Sequence, residues 1–131
     1  MSAPTPRRAP IRVLVADDQP IFTRMLEAVL ADDERMDVVG HAANGRQAVE
    51  LAEELAPDVV LMDISMPLMD GLEATRRLHE LDPAPRVLML TESDLPGDVV
   101  RSRKAGAVAY VPKTRITSDL SEAIITVMGD S

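Results

Sequence analysis

The chain has 131 residues, a formal net charge of −8 and no cysteine. This length predicts one domain with a single core, and the lack of cysteine excludes disulfides, thiolate metal sites and cysteine nucleophiles. The acidic charge argues against direct nucleic-acid binding by this chain. A cysteine-free chain agrees with a reducing compartment, so we expect a cytoplasmic protein.

Residues 1–10 are interpreted as a flexible tail and residues 11–131 as one folded domain. Arg7 and Arg8 resemble the charged start of a signal peptide, but Pro10 and Arg12 interrupt the apolar segment that such a peptide requires. Elsewhere the uninterrupted apolar runs are far shorter than the roughly 20 residues that cross a bilayer. We therefore expect no membrane contact.

Five short apolar runs rich in Val, Leu and Met predict β-strands. They are Ile11–Ala16, Val38–Ala42, Val59–Met62, Val87–Leu90 and Ala107–Val111. Apart from Arg12 and His41, polar residues do not alternate with the apolar ones in these runs. This pattern is typical of parallel strands that are covered on both faces.

Apolar residues at helical spacing lie between these runs and predict the covering helices. The stripes are Ile21, Phe22, Met25, Leu26, Val29 and Leu30; Ala48, Leu51, Ala52 and Leu55; Leu72, Thr75 and Leu78; and Leu120, Ala123, Ile124 and Val127. The weakest helix is predicted over Leu95–Ala105, which offers only Leu95, Val99, Val100 and Ala105 for burial. Pro20 fits a first helical turn, Asn44 and Ser118 fit N-caps, and Gly106 fits a left-handed C-terminal stop.

The alternation of strands and helices predicts an α/β fold of the (βα)5 type, a doubly wound parallel five-stranded sheet between two helical layers. Ligands of such sheets bind outside the carboxyl ends of the strands. The polar residues that follow the predicted strands are Asp17, Asp18, Asp63, Thr91 and Lys113. We expect these side chains to converge at one edge of the sheet.

Converging carboxylates repel one another, so a cation is expected among them. Oxygen ligands without a cluster of Cys or His favour Mg²⁺, which leaves room for phosphate oxygens. Asp63 is the candidate nucleophile, because a carboxylate needs no general base to form an aspartyl phosphate. Lys113 and the Thr91 hydroxyl are suited to neutralising and binding the phosphoryl oxygens.

The motifs that contain these residues resemble the receiver domains of two-component response regulators, over about Ile11 to Met128. Val-Leu-Val-Ala-Asp17-Asp18 is similar to the acidic pair of that family, and the segment from Leu61 to Gly71, LMDISMPLMDG, is similar to its phosphoacceptor loop. Thr91 and Lys113 are similar to the two remaining site residues of the family.

The resemblance implies a flavodoxin-like sheet of strand order 2-1-3-4-5 and a receiver domain over residues 11–131. It implies that Asp18, Asp63 and the backbone carbonyl of Ser65 are Mg²⁺ ligands, with Asp17 acting through water. It also implies that a sensor histidine kinase phosphorylates Asp63. Thr91 and Tyr110 would then act as switch residues and change the surface that binds a sister chain or an output domain.

The segments Asp17-Asp18-Gln19-Pro20 and Ala109-Tyr110-Val111-Pro112-Lys113 look most like receivers of LuxR/NarL-type regulators, which carry a C-terminal helix-turn-helix domain. We expect such an output domain, outside these 131 residues, to control transcription; a stand-alone receiver is the alternative. Many receivers have Pro after the site lysine, whereas Thr114 stands here, so the sequence leaves the peptide geometry at Lys113–Thr114 open.

Several residues also have simpler interpretations. Asp17 and Asp18 can cap the first helix, Asp70-Gly71 can be a turn and helix start, and Tyr110 can be a packing residue. Two rival functions stay open: a phosphorylation-independent interaction module of the same fold, and a Mg²⁺-dependent aspartyl-phosphate hydrolase. Hydrolases resembling the haloacid dehalogenase group carry a second Asp two residues after the first, where this chain has Ser65.

Overall fold

The computed structural model describes residues 9–66, 69–92 and 96–129. Within them the strands are β1 (Ile11–Ala16), β2 (Met36–Ala42), β3 (Val59–Asp63), β4 (Arg86–Thr91) and β5 (Ala109–Pro112). The helices are α1 (Pro20–Ala31), α2 (Gly45–Leu55), α3 (Gly71–His79), α4 (Pro96–Ala105) and α5 (Ile116–Gly129). Residues 1–8 of the predicted tail, Pro67 of the predicted loop and Leu95 of the weakest predicted helix lie outside the described residues.

All neighbouring strands pair in parallel, in the order β2-β1-β3-β4-β5, which confirms the predicted fold and strand order. The five predicted runs lie within two residues of the observed strands. Successive residues of a strand enter opposite cores: Val13 and Val15 pack with α1 and α5, whereas Leu14 and Ala16 pack with α2 and α3. Both faces are therefore covered, as the missing polar alternation predicts.

Most of the predicted helix boundaries agree with the structure. Pro20 lies in the first turn of α1, the Asn44 side chain accepts a hydrogen bond from the Gln47 amide, and Gly106 has a φ of +115°. Ser118 is not an N-cap, because the chain enters α5 at Ile116 directly from a short 3-10 helix. Its hydroxyl instead donates to the Arg115 carbonyl and to Asp119.

The apolar stripes are wider than the faces that become buried. Ile21 and Met25 belong to the predicted stripe of α1, yet they are 81% and 41% exposed. In α4, Val100 is 51% exposed, while Ser102 and Ala105 are buried. A helix that packs on a sheet on one side covers only a narrow arc, so residues at the margin of the stripe stay in solvent. Among the described residues, no helix is both long and apolar enough to cross a membrane.

The loop between β3 and α3 is held against neighbouring backbone at two glycines. The Gly45 amide, at the start of α2, donates to the Met69 carbonyl at 3.0 Å, and the Gly71 amide donates to the Ile64 carbonyl at 3.1 Å. A Cβ atom added at Gly71 would lie 2.1 Å from the Asp63 carbonyl oxygen, which belongs to strand backbone. The loop therefore requires glycine at position 71.

Gly71→Ala is expected to lower the free energy of unfolding by about 2 kcal/mol or more, because the new methyl group must displace the end of β3. Urea denaturation measures this change. Gly97→Ala is the matched control, since a Cβ at Gly97 in the first turn of α4 meets no atom within 4 Å. Alanine is also the better helix former, so the control should be neutral or slightly stabilised. Equal stability of the two variants would contradict the close approach.

Candidate functional site

The register of the strands brings Asp17 next to Asp63. Ala16, the last residue of β1, pairs with Met62 of β3, so the residue that follows each of them lies at the same level of the sheet. Asp63 pairs with Leu90, and Thr91 pairs with Pro112, so Thr91 and Lys113 extend the same edge toward β5. The parallel pairing of the strands therefore brings these polar residues, which are distant in sequence, to one edge of the sheet.

Three carboxylates converge at this edge. Asp17, Asp18 and Asp63 each offer an oxygen atom, and these atoms all lie within 4.8 Å of one another. Asp17 and Asp63 are buried, whereas Asp18 is exposed. The Asp17 Oδ1 atom accepts a hydrogen bond from the Gln19 amide at 2.8 Å, whereas the buried Oδ2 atom faces the Lys113 ammonium.

Lys113 supplies the cationic charge that faces these acids. Its Nζ atom lies 3.0 Å from Asp17 Oδ2 and 3.5 Å from Asp63 Oδ2, and its side chain is only 9% exposed. One ammonium does not balance three carboxylates. The cluster therefore keeps a negative charge that a divalent cation would offset.

The donor set fits the predicted Mg²⁺. The oxygens come from carboxylates, which suit a hard cation, and the exposed Asp18 leaves the site open to solvent. These three residues would hold the ion. The backbone carbonyl of Ser65, predicted as a further ligand, lies in the segment directly after β3, and the Ser65 amide donates to Asp63 Oδ1 at 3.3 Å.

The electrostatics of the cluster act most strongly on Asp63. Burial, followed by the charge of Asp17, raises the pKa of the Asp63 carboxyl from 3.8 to about 6. The Lys113 charge and the Ser65 amide oppose this shift. In the absence of a divalent cation, Asp63 is therefore half protonated near pH 6 and mostly ionised, at a cost to the fold, at neutral pH.

A pocket of about 230 Å³ opens directly above Asp63. Four of the site residues named from the sequence line it: Asp63, Ser65, Thr91 and Lys113. Gln19, Ile64, Glu92 and Asp98 complete it. The pocket is a place for a small anionic group that would contact both the carboxylate and the ammonium.

Tyr110 does not line this pocket. It is half-buried in β5, packs against the core beneath α2 and α3, and lines a different pocket with Val99, Ser102 and Arg103 of α4. This placement agrees with the simpler packing interpretation, and the switch role remains a prediction.

Asp17 and Asp18 do not cap α1, because the N-cap is Gln19 and it has no side-chain capping bond. Asp70 does cap α3, by accepting from the Glu73 amide at 2.9 Å.

Gln19 and Phe22 make contacts with Lys113 that the sequence patterns do not predict. The Gln19 Oε1 atom lies 3.4 Å from Lys113 Nζ, and this nitrogen lies 4.3 Å from the centroid of the Phe22 ring. In the sequence Gln19 follows the acidic pair Asp17-Asp18, and Phe22 lies in the apolar stripe that predicts the first helix. No linear spacing connects either residue to a lysine after the fifth strand.

The peptide bond after Lys113 is trans, since Asp82–Pro83 is the one cis bond among the described residues.

Comparison with known proteins gives consistent results. A family model described as the response regulator receiver domain matches residues 13–125. The solved signal receiver domain of the response regulator NarL from Mycobacterium tuberculosis is 30% identical with a TM-score of 0.87, and the alignment covers 92% of this chain and 97% of that one.

Two kinds of curated relative are similar to the chain. The response regulator protein VraR of Staphylococcus saprophyticus is 39% identical over 115 residues, which cover 88% of this chain and 55% of the relative. A protein-glutamate methylesterase/protein-glutamine glutaminase of Myxococcus xanthus is 46% identical over 106 residues, which cover 79% of this chain and 30% of the relative. The chain thus spans only about a third to a half of these relatives.

Asp63→Asn is expected to stabilise the protein against urea in the presence of a chelator at pH 7.5. The pKa of Asp63 is about 6 in the folded state and near 3.8 in the unfolded state, so its ionised form is unfavourable to folding above pH 6. After allowance for solvent screening, the gain is on the order of 1 to 2 kcal/mol. It should shrink as the pH falls through the window from about 6 to 4 and vanish below it.

The exposed Asp37 of β2 provides the control, as Asp37→Asn. If Asp63→Asn brings no gain in the free energy of unfolding at pH 7.5, or a gain that grows toward pH 4, the ionised Asp63 carboxylate does not destabilise the fold.

Proposed function

The chain belongs to the family of response regulator receiver domains, and on that premise we propose that Asp63 is its phosphoacceptor. The observation that carries the proposal is the convergence of three carboxylates with a buried lysine beneath an open pocket. A receiver is a signalling domain, so the reaction proposed is the modification of the domain itself. The donor would be the phosphohistidine of a sensor kinase or a small phosphorylated molecule.

In the proposed reaction an Asp63 carboxylate oxygen attacks the phosphorus atom. The new O–P bond forms as the N–P bond of the phosphohistidine breaks, and the leaving imidazole nitrogen takes up a proton. When bound, Mg²⁺ would neutralise charge on the transferring phosphoryl group. Asp17, Asp18 and Asp63 would hold the ion, with the Ser65 carbonyl.

Lys113 and Thr91 are proposed to bind the transferred group. The Lys113 ammonium already lies 3.5 Å from Asp63 Oδ2, so it can exchange this contact for one with a phosphoryl oxygen. Thr91 lines the same pocket and is buried, and its hydroxyl can donate to a second oxygen. Positioned donors of this kind stabilise the negative charge that develops in the transition state, and in this way they accelerate the transfer.

The acyl phosphate is proposed to act as a switch. New contacts of Thr91 and Lys113 with the phosphoryl group would favour one of two conformations, with Tyr110 repacking beneath α4. The changed surface would bind a sister chain or an output domain. Because LnrK of Bacillus subtilis, which is 37% identical over 89% of the chain, is a transcriptional regulatory protein, we propose a transcriptional output through a helix-turn-helix domain. The methylesterase relatives make an enzymatic output domain the alternative.

The rival functions are distinguishable by chemistry. A hydrolase would turn over a phosphate ester, and Ser65 stands where the acid and base of the haloacid dehalogenase group would be needed. An interaction module that does not depend on phosphorylation would need neither the open pocket nor the buried lysine. Asp63, Lys113 and Thr91 line one pocket, and Asp17 and Asp18 lie beside Asp63; this combination supports the phosphoacceptor.

Incubation with acetyl phosphate and Mg²⁺ is expected to add one phosphoryl group, detected by mass spectrometry of the intact chain. The adduct should be released by hydroxylamine, because it is an acyl phosphate. Asp63→Asn should abolish it and the control Asp37→Asn should not. An unmodified parent protein would favour the interaction module, and steady release of phosphate from a phosphate ester would favour the hydrolase.

Lys113→Ala is expected to slow the phosphorylation of Asp63 by about a hundredfold, because one of the positioned cationic donors is lost. The rate is measured from the time course of the adduct mass. Lys104→Ala, at an exposed position of α4, is the matched control and should react like the parent. A Lys113→Ala protein with the parental rate would remove the lysine from the proposed reaction.

A further inference from the structure

The ammonium of Lys113 has four neighbouring groups, and the acidic motifs of the family account for two of them. Two of its neighbours are the carboxylates of Asp17 and Asp63, and a third is the Gln19 amide oxygen at 3.4 Å. A fourth is the aromatic ring of Phe22, whose centroid lies 4.3 Å from Nζ. The ammonium therefore contacts oxygen atoms on some sides and the face of an aromatic ring on another.

The ring contact is in the range of a cation–π interaction. An ammonium within about 6 Å of a ring centroid is attracted by the negative face of the ring, and the attraction grows when both groups are removed from water. Here Phe22 is buried and the lysine side chain is 9% exposed. The electrostatic attraction is therefore screened by little solvent.

We propose that the ring face of Phe22 positions the Lys113 ammonium for phosphoryl transfer to Asp63. Phe22 is then a positioning residue that acts through the lysine. The inference deepens the proposed function and rests on it.

The ring has a specific advantage over another carboxylate or amide at this place. When a phosphoryl group arrives, Lys113 must move part of its contact from Asp63 to a phosphoryl oxygen. A ring attracts the ammonium without fixing the direction of any N–H bond, so it restrains the position of the nitrogen and leaves its donors free to turn. A further oxygen acceptor would compete with the phosphoryl group for those donors.

Packing alone is the simpler explanation, because Phe22 also belongs to the core cluster that contains Leu26 and Leu120. The two explanations differ in what they require of the residue. Packing requires volume, which leucine or a fluorinated ring supplies almost as well. The proposed role requires the negative charge of the ring face, which fluorine atoms withdraw in steps while the shape of the ring is nearly kept.

The composition of the chain allows this difference to be tested cleanly. Phe22 is its one phenylalanine, so biosynthetic incorporation of mono-, di- and trifluorinated phenylalanine changes this ring alone. The rate of phosphorylation by acetyl phosphate with Mg²⁺ is expected to fall stepwise along the series, by about threefold to tenfold in total. Urea denaturation of each protein confirms that the fold is kept, and Phe22→Leu reports the effect of losing the ring entirely.

A second readout needs neither metal nor phosphodonor. The ring current of Phe22 should shift the NMR signals of the Lys113 ε-methylene protons upfield in the metal-free protein. Phe22→Leu should return them to the ordinary lysine position, and each added fluorine should shift them progressively as the ammonium moves from the ring. An unshifted Lys113 signal in the parent would overturn the contact.

The outcomes separate the two proposals. A phosphorylated parent whose rate is unchanged across the fluorinated series would overturn the positioning role of Phe22 and leave Asp63 as phosphoacceptor. A parent that accepts no phosphoryl group, even with the Lys113 signals shifted by the ring, would overturn the proposed function and with it the role of Phe22 in the transfer. A stepwise loss of rate at constant stability supports both.

Discussion

The repulsion among Asp17, Asp18 and Asp63 is the constraint on which the site depends. Their oxygens lie within 4.8 Å of one another at the carboxyl edge of the sheet, and within the described part of the chain the positive charge that contacts them is that of Lys113. Such an arrangement is costly in an empty protein, as the raised pKa of Asp63 reflects. A bound divalent cation would offset this repulsion.

The fold tolerates this cost because the surrounding backbone is strongly restrained. Asp17 and Asp18 directly follow β1 and Asp63 ends β3, two inner strands with buried side chains at this end. The loop after Asp63 is bonded to α2 through Gly45 and to itself through Gly71. Asp70 fixes the start of α3 by capping. The charged groups cannot relax apart without breaking these contacts, and this rigidity keeps them ready for a ligand.

The weakly packed part of the molecule lies on the other side of the pocket. Helix α4 buries Ser102 and Ala105 but leaves Val100 exposed, and Tyr110 lies half-buried next to it. Thr91 and Asp98 connect this region to the pocket above Asp63. A change at the rigid acidic edge can therefore be transmitted to the side of the domain where few apolar contacts oppose movement.

Local patterns determined a large part of this protein from the sequence alone. Apolar runs predicted β1, β3 and β4 to within one residue because strands buried on both faces have little tolerance for polar residues, and the polar residues at the carboxyl ends of these runs predicted the site. Tertiary packing decided the rest: that Ile21 and Val100 are exposed, that α5 begins before Ser118, and that Phe22 and Gln19 meet Lys113. These features depend on contacts between distant segments, which no local periodicity encodes, because a stripe or a cap residue carries no information about what will pack against it.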